Sequence, residues 1–288
     1  MLPWYVFAIG SAIFSTLFTL FRKKSMSKEH AMEFEVTRTT FVALFGLLLI
    51  PFLTFKYTIA SILVIYSISI IAVVGILLTS KSLRHMEVSA VAPLFNLTPG
   101  FLAVLAFIFL KESLSRLQIG GLVLLIAGSY VLETDHNSFF QSFIKHIKSR
   151  YIGYAIIAAF IFSITSLLDK YVISFHTTPF DFMFLAWFFI SLNFIIISTI
   201  QHDGIRGIKH CLKISKHNVV LAALFSFFAN AFYVYALSIA YVSLVIPIRR
   251  LSTLMTTIIG GELFHEKALL RKSIACIIMV IGAYFIII

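Results

Sequence analysis

The chain divides into apolar stretches that are each about as long as a bilayer is thick. A helix rises about 1.5 Å per residue, so about 20 mainly apolar residues cross a hydrocarbon core of about 30 Å. Ten such stretches follow one another, at roughly 3–21, 33–55, 59–80, 88–110, 115–132, 151–173, 180–200, 218–239, 243–264 and 270–288. Only short polar breaks separate them, and no segment is left for a soluble domain of any size. A mean hydropathy of +1.01, with 12% charged residues, excludes the ordinary soluble classes. The expected fold is an all-α integral membrane protein of ten transmembrane helices.

The opening "MLPWYVFAIG" has no basic n-region, and no small-residue cleavage site precedes "FRKKSMSK". It is therefore expected to be the first span rather than a removed signal peptide. Cys211, expected in a loop, and Cys276, in the last span, make neither a disulfide framework nor a metal site. The net charge of +11 would suggest nucleic acid in a soluble protein. Here most Lys and Arg sit in the breaks, as topology signals do. Sixteen of them fall on one side, among them Arg22, Lys23, Lys24, Lys28, Lys145 and Lys272, against Lys56, Lys111, Arg116 and Lys170 on the other. With an even number of spans, both termini share the poorer side, so the positive-inside rule places them outside the cytoplasm. One missed span would reverse every loop after it.

An internal repeat supports the count. "LRHMEVSAVAPLFNL" from Leu83 and "LSIAYVSLVIPIRRL" from Leu237 align at an offset of 154, which pairs Val88, Ser89 and Pro93 with Val242, Ser243 and Pro247. The register continues to Glu112 with Glu266, then to Gly128 and Tyr130 with Gly282 and Tyr284. The front of each half agrees more loosely at an offset of 148, which pairs Glu33-Phe34 with Asp181-Phe182. The halves are expected at 1–135 and 151–288, joined by a basic linker at 136–150. Five helices per half put the second copy upside down relative to the first, as in the inverted repeats of secondary transporters. The basic first loop of half one has a nearly bare counterpart around Lys170, which fits that inversion.

Each half has a proline early in its fourth span ("VSAVAPLFNL", "VSLVIPIRRL"), an acidic residue closing it ("FLKES", "LFHEK"), and a Gly-bearing fifth span. With these features the chain resembles the EamA family of the drug/metabolite transporter superfamily. The resemblance covers nearly the whole chain on loose, mostly structural motifs. It implies a carrier, often an exporter, of small organic solutes, with a cavity lined mainly by spans 1, 3, 4, 6, 8 and 9. It also implies both termini in the cytoplasm, against the charge count.

Residues shared by both halves belong to the scaffold. Pro93 and Pro247 lack an N–H and loosen their helices, either as hinges for alternating access or as tolerated first-turn prolines. Glu112 and Glu266 lie at helix ends, where a carboxylate stays hydrated or helps cap the next helix. Gly120, Gly121, Gly128 and Gly282 allow close packing.

Residues that break the repeat are better solute candidates. Arg249 and Arg250 stand where the first half has Phe95 and Asn96, about 10 Å into the core. An intramembrane Arg costs about 2.5–3.5 kcal/mol and faces a cavity or a partner, unless its long stem snorkels to the interface. Arg38 has Glu35 one turn before it, so an i, i+3 ion pair competes with a solute role. Asn96, Asn230, Tyr233 and Tyr235 can hydrogen-bond a polar solute, and Asn230 and Tyr233 share a helix face. Glu262 is either a proton-coupling carboxylate or an end-of-helix acid. Lys81, Arg84, His85 and Glu87 read as a solvated junction.

No Walker loop, HExxH, metal-spaced His cluster or nucleophile elbow occurs, so neither an enzyme nor a cofactor or metal is expected. The expected partners are a small-molecule solute and the bilayer, with no nucleic acid. The reading is a secondary carrier in the cell membrane for an anionic or amino-acid-like metabolite. A flippase for a lipid-linked phosphate or phosphosugar is the alternative. A membrane-embedded enzyme would need clustered catalytic groups that the sequence does not contain.

Overall fold

The structure is a computed structural model that describes residues 2–26, 31–55, 57–85, 94–133, 150–201, 204–264 and 269–288. The helices are α1 (Trp4–Met26), α2 (Ala31–Gly46), α3 (Ile59–His85), α4 (Thr98–Leu110), α5 (Arg116–Glu133) and α6 (Arg150–Phe175). They continue as α7 (Pro179–Gln201), α8 (Ile205–Ile239), α9 (Val242–Arg249), α10 (Leu251–Phe264) and α11 (Leu269–Ile287). No strand occurs among the described residues. Among the described residues, six segments are long and apolar enough to cross a membrane: Trp4–Arg22, Ala31–Phe52, Ile59–Thr79, Arg150–Phe175, Pro179–Gln201 and Ile205–Ile239. Large apolar side chains such as Phe107, Phe109 and Leu63 face outward, where a water-soluble surface would seldom gather them.

Local chemistry sets the helix ends. Thr58 with Ser61, Ser115 with Gln118, and Thr178 with Asp181 form reciprocal caps at the starts of α3, α5 and α7. The second span ends at Phe52, short of residue 55. A 3-10 turn, Leu47–Phe52, carries Pro51 and terminates α2, because proline cannot donate to the helical ladder. The largest departure from expectation is α8, which begins at Ile205 rather than near 218. Gly207, Cys211 and Ser215 recur every four residues and are buried, while Arg206, Lys209, Lys213 and Lys216 face out. This amphipathic run makes the expected loop helical, with one non-helical residue, Ser215 (φ −131°, ψ 28°). Cys211 is thus buried on a helix, packed with Phe34, Val219 and Ala222. Both cysteines are free thiols.

The chain packs as two compact units, Met1–Val73 with Asp169–Ile239, and Val74–Leu168 with Ala240–Ile288. Each takes helices from both sequence halves. In the first, α1 and α8 run antiparallel. Ser11 Oγ donates to Ala229 O at 2.8 Å, Phe14 stacks on Phe228, and Phe7 lies 4.4 Å from Tyr235 between ring centres. Helices α2 and α7 are also antiparallel, since Gly46 faces Phe184 while Thr40 meets Ser191. Asp181 ties the loop before α3 to α7 by accepting from the Thr54 N–H (3.1 Å), the Thr54 hydroxyl (2.6 Å) and the Tyr57 hydroxyl (3.0 Å).

In the second unit α5 and α11 approach more closely than side chains would allow. A Cβ on Gly121 would lie 2.6 Å from Gly282 O, and one on Gly128 would lie 2.6 Å from Met279 Cγ and 3.1 Å from Ala275 O. Adding 154 carries Gly121 to Ala275 and Gly128 to Gly282, so the contact maps onto itself when the halves are exchanged. Gly120, expected to share in this packing, has nothing within 4 Å. It points away from the seam.

Candidate functional site

The expected ninth span is not one helix. Pro247 lies inside α9 and cannot donate an N–H. The Arg250 N–H reaches both Ile246 O and Pro247 O at 3.1 Å, and the Thr253 N–H and hydroxyl both close on Arg250 O, at 3.0 and 2.7 Å. Helix α9 therefore ends at Arg249 and α10 starts at Leu251. The first half breaks at the equivalent place. Asn96 and Leu97 form a turn before α4, the Leu97 N–H bonds Leu94 O at 3.2 Å, and the Thr98 hydroxyl bonds Phe95 O at 2.8 Å. At the offset of 154, Asn96 corresponds to Arg250.

This geometry gives the paired arginines a physical setting. Arg249 lies in the last turn of α9 and Arg250 at its C-cap, where the carbonyl ends of a helix favour cations. Both are half-buried. Arg250 lines a small crevice with Pro99, Leu125, Ile126, Ser129 and Pro247, while Asn96 is buried at its own turn.

The start of α9 is held by a residue from far along the chain. Lys111 adopts a left-handed conformation (φ 54°) that ends α4. The buried Glu112 then accepts from the Val242 N–H (2.9 Å), the Ser243 N–H (3.1 Å) and the Ser243 hydroxyl. Glu112 is thus a cap, though of α9 rather than of the next helix in sequence. Its repeat mate Glu266, with Pro93, Glu87 and most of the basic linker, lies outside the described residues, and so does the side chain of Glu262 on α10.

In the first unit Arg38 is engaged rather than open. Its Nε and Nη2 meet Glu35 Oε2 at 2.9 and 2.7 Å, Nη1 donates to Ser226 Oγ at 3.0 Å, and Phe18 and Trp187 flank the guanidinium. Arg22, counted above among the loop charges, takes the other carboxylate oxygen of Glu35 at 2.9 Å. Asn230 turns its amide to Ser226 O on its own helix at 2.7 Å. The Tyr235 ring packs on Phe7.

Tyr233 points to a residue that sequence reasoning passed over. Its hydroxyl donates to Asp169 Oδ2 at 3.3 Å, and the neighbouring Lys170 Nζ donates to Leu237 O at 2.6 Å, near the C-terminus of α8. A carboxylate in "SITSLLDKYV" was the available signal, since ionisable groups inside apolar spans are seldom idle. Arg38, Asp169, Asn230, Tyr233 and Tyr235 thus belong to the first unit. Asn96, Arg249 and Arg250 belong to the second. Among the described residues no His, Cys, Asp and Glu gather as metal ligands.

No curated protein matches the chain. A solved structure titled only "Crystal structure of protein" is similar in fold, with a TM-score of 0.77 at 12% identity, over 98% of this chain and 95% of that one. The sequence matches the EamA-like transporter family over residues 2–134 and again over 149–288. With both halves matched and apolar helices of membrane-spanning length, the chain belongs to the EamA-like transporters, multi-pass membrane proteins of the drug/metabolite transporter superfamily.

Proposed function

We propose that the protein is a secondary active carrier, working as an exporter of a small anionic or amino-acid-like metabolite by alternating access between two inverted five-helix repeats. The observation that carries this reading is the pair of repeat-related helix breaks at Asn96 and Arg250, only one of which bears charge. Discontinuous helices expose backbone groups that carriers use to hold solutes and ions. A guanidinium at such a break pairs with carboxylate or phosphate oxygens in a bidentate way.

Several features support the inverted ten-span arrangement. Helices α5 and α11, the fifth of each half, are antiparallel and exchange-symmetric, and α2 and α7, the second of each half, are antiparallel too. If these helices cross a bilayer, the axis relating them lies in its plane. In this reading Pro93 and Pro247 are hinges and Glu262 is a candidate for proton coupling. Arg249, Arg250 and Asn96 carry solute recognition in their unit, while Asn230, Tyr233, Tyr235 and Arg38 form a separate polar set on α8 and α2. Both termini lie outside the cytoplasm, as the loop charges argue, which a C-terminal reporter fusion checks.

The functional test is uptake into proteoliposomes, scored across anionic and neutral metabolites. Arg249→Ala or Arg250→Ala should abolish transport of anionic solutes. Unchanged anion transport by both variants would sink the assignment.

A further inference from the structure

We propose that the base of the α1–α8 pair binds the phosphate of an anionic phospholipid headgroup. The observation begins with hydroxyls. Ser and Thr inside the helices of this chain routinely donate to a carbonyl one turn back, as Thr16 does to Ala12 O (2.9 Å) and Thr19 to Ser15 O (2.8 Å) on α1 itself. Ser25 on α1 and Ser215 on α8 do not. Both are buried, at 0% and 4% exposure, and neither hydroxyl has a hydrogen-bond partner. The Arg22 Nε–H, one turn before Ser25, is also buried and unpartnered, although the same guanidinium reaches Glu35 through Nη2.

The helix register brings these donors together. Ser11 bonds Ala229 across the antiparallel pair, and fourteen residues along α1 and fourteen back along α8 lead to Ser25 and Ser215. Fourteen residues make nearly four turns, so both serines lie on the contacting faces. Phe18 and Phe21 pack against the cluster of Phe34, Cys211, Val219 and Ala222, which carries the contact toward that end. Ser215 is also where α8 departs from helical geometry (φ −131°, ψ 28°), so its side chain is not set by an unbroken helix.

Depth and charge identify the occupant. The apolar span of α1 ends at Arg22, three residues before Ser25, and on α8 the exposed Lys213 and Lys216 flank Ser215. The site therefore lies at headgroup level. The segment leading into it, "IRGIKHCLKIS", is amphipathic. It carries Arg206, Lys209 and Lys213 with no acidic residue, exposes Ile205 at 66% and Ile214 at 43%, and is followed at once by Lys216. A basic helical face at the end of a span draws anionic lipid. Among the described residues, Glu35 is engaged by Arg22 and Arg38, and Glu33 by His210 at 2.8 Å. Three unpartnered donors at this end of the α1–α8 pair, in a positive field, suit a phosphate oxygen held by charge-assisted hydrogen bonds.

The test uses the purified full-length protein in detergent, titrated with short-chain phosphatidylglycerol, phosphatidylcholine or inorganic phosphate and read by native mass spectrometry. Phosphatidylglycerol should bind at least about tenfold more tightly than phosphatidylcholine. Removing both hydroxyls, Ser25→Val with Ser215→Val, should weaken it about tenfold or more. Lys213→Gln with Lys216→Gln, exposed changes that leave the packing alone, should weaken it several-fold and flatten its salt dependence. Equal binding of the two lipids, or wild-type affinity in the serine variant, overturns the proposal. Inorganic phosphate binding as tightly as phosphatidylglycerol overturns the lipid assignment in favour of a soluble anion. If the serine variant fails to fold by gel filtration, the lysine variant decides the matter, and unchanged lipid binding there overturns the proposal too.

Discussion

Replacing Glu112 tests whether a cap reaching from α4 holds the start of α9. In Glu112→Ala the Val242 and Ser243 N–H groups lose their acceptor at a buried helix end, while the Ser243 hydroxyl is free to turn to its own backbone. Each stranded donor costs about 1–3 kcal/mol, so the loss is about 2–6 kcal/mol, with part of it due to the missing carboxylate at a helix N-terminus. Glu112→Gln keeps one acceptor oxygen and should lose about half as much. At about 2–4 °C per kcal/mol for a chain of this order of size, the alanine variant should melt on the order of 10 °C lower in detergent. Fluorescence-detected gel filtration after heating reads this directly. Ser243→Ala in the Glu112→Ala background should add almost nothing, because the two residues act through one contact. A Glu112→Ala protein melting within a degree of wild type, or strictly additive effects of the two changes, would refute the argument.

Two further outcomes follow from the packing. Gly121→Val should destabilise by about 2–3 kcal/mol, because its Cβ meets backbone that cannot yield, whereas Gly120→Ala should stay within about 0.5 kcal/mol; equal melting temperatures for the two would contradict the seam. Glu35→Ala strands two guanidiniums and should cost about 3–5 kcal/mol, and adding Arg38→Met should recover much of it. A double variant no better than the single one would show that the arginine is not what the glutamate compensates.

The sequence made the recurrence legible, because Pro, Glu and the Gly-x-Tyr pair recur at one offset and report a duplicated scaffold. It also located the place where the chain does something unusual, "IPIRRLST", without showing that the helix stops there. The stop depends on how Arg250 and Thr253 share carbonyls around a missing N–H, which periodicity does not encode. Glu112 illustrates the same limit. A helix-end acid reads as a cap, but its partner sits 130 residues away, and local spacing carries no information about contacts that distant. The helix before residue 218 was missed for a different reason. Its buried positions are Gly207, Cys211 and Ser215, too small and polar to register as an apolar stripe. Arg22 and Lys170 looked like loop charges because a long side chain can reach back into the protein from a helix end, to Glu35 and to Leu237 O.

The seam between α5 and α11 also bears on ancestry. A contact that survives exchange of the halves is one that a chain of half this length could make with a second copy of itself, provided the two copies entered the membrane in opposite senses. Such a chain would need loops of nearly balanced charge. Once both copies were joined in one polypeptide, each half was free to acquire the charge bias of its own orientation, and the basic stretch after the first span beside its sparse counterpart near Lys170 is the trace that freedom would leave.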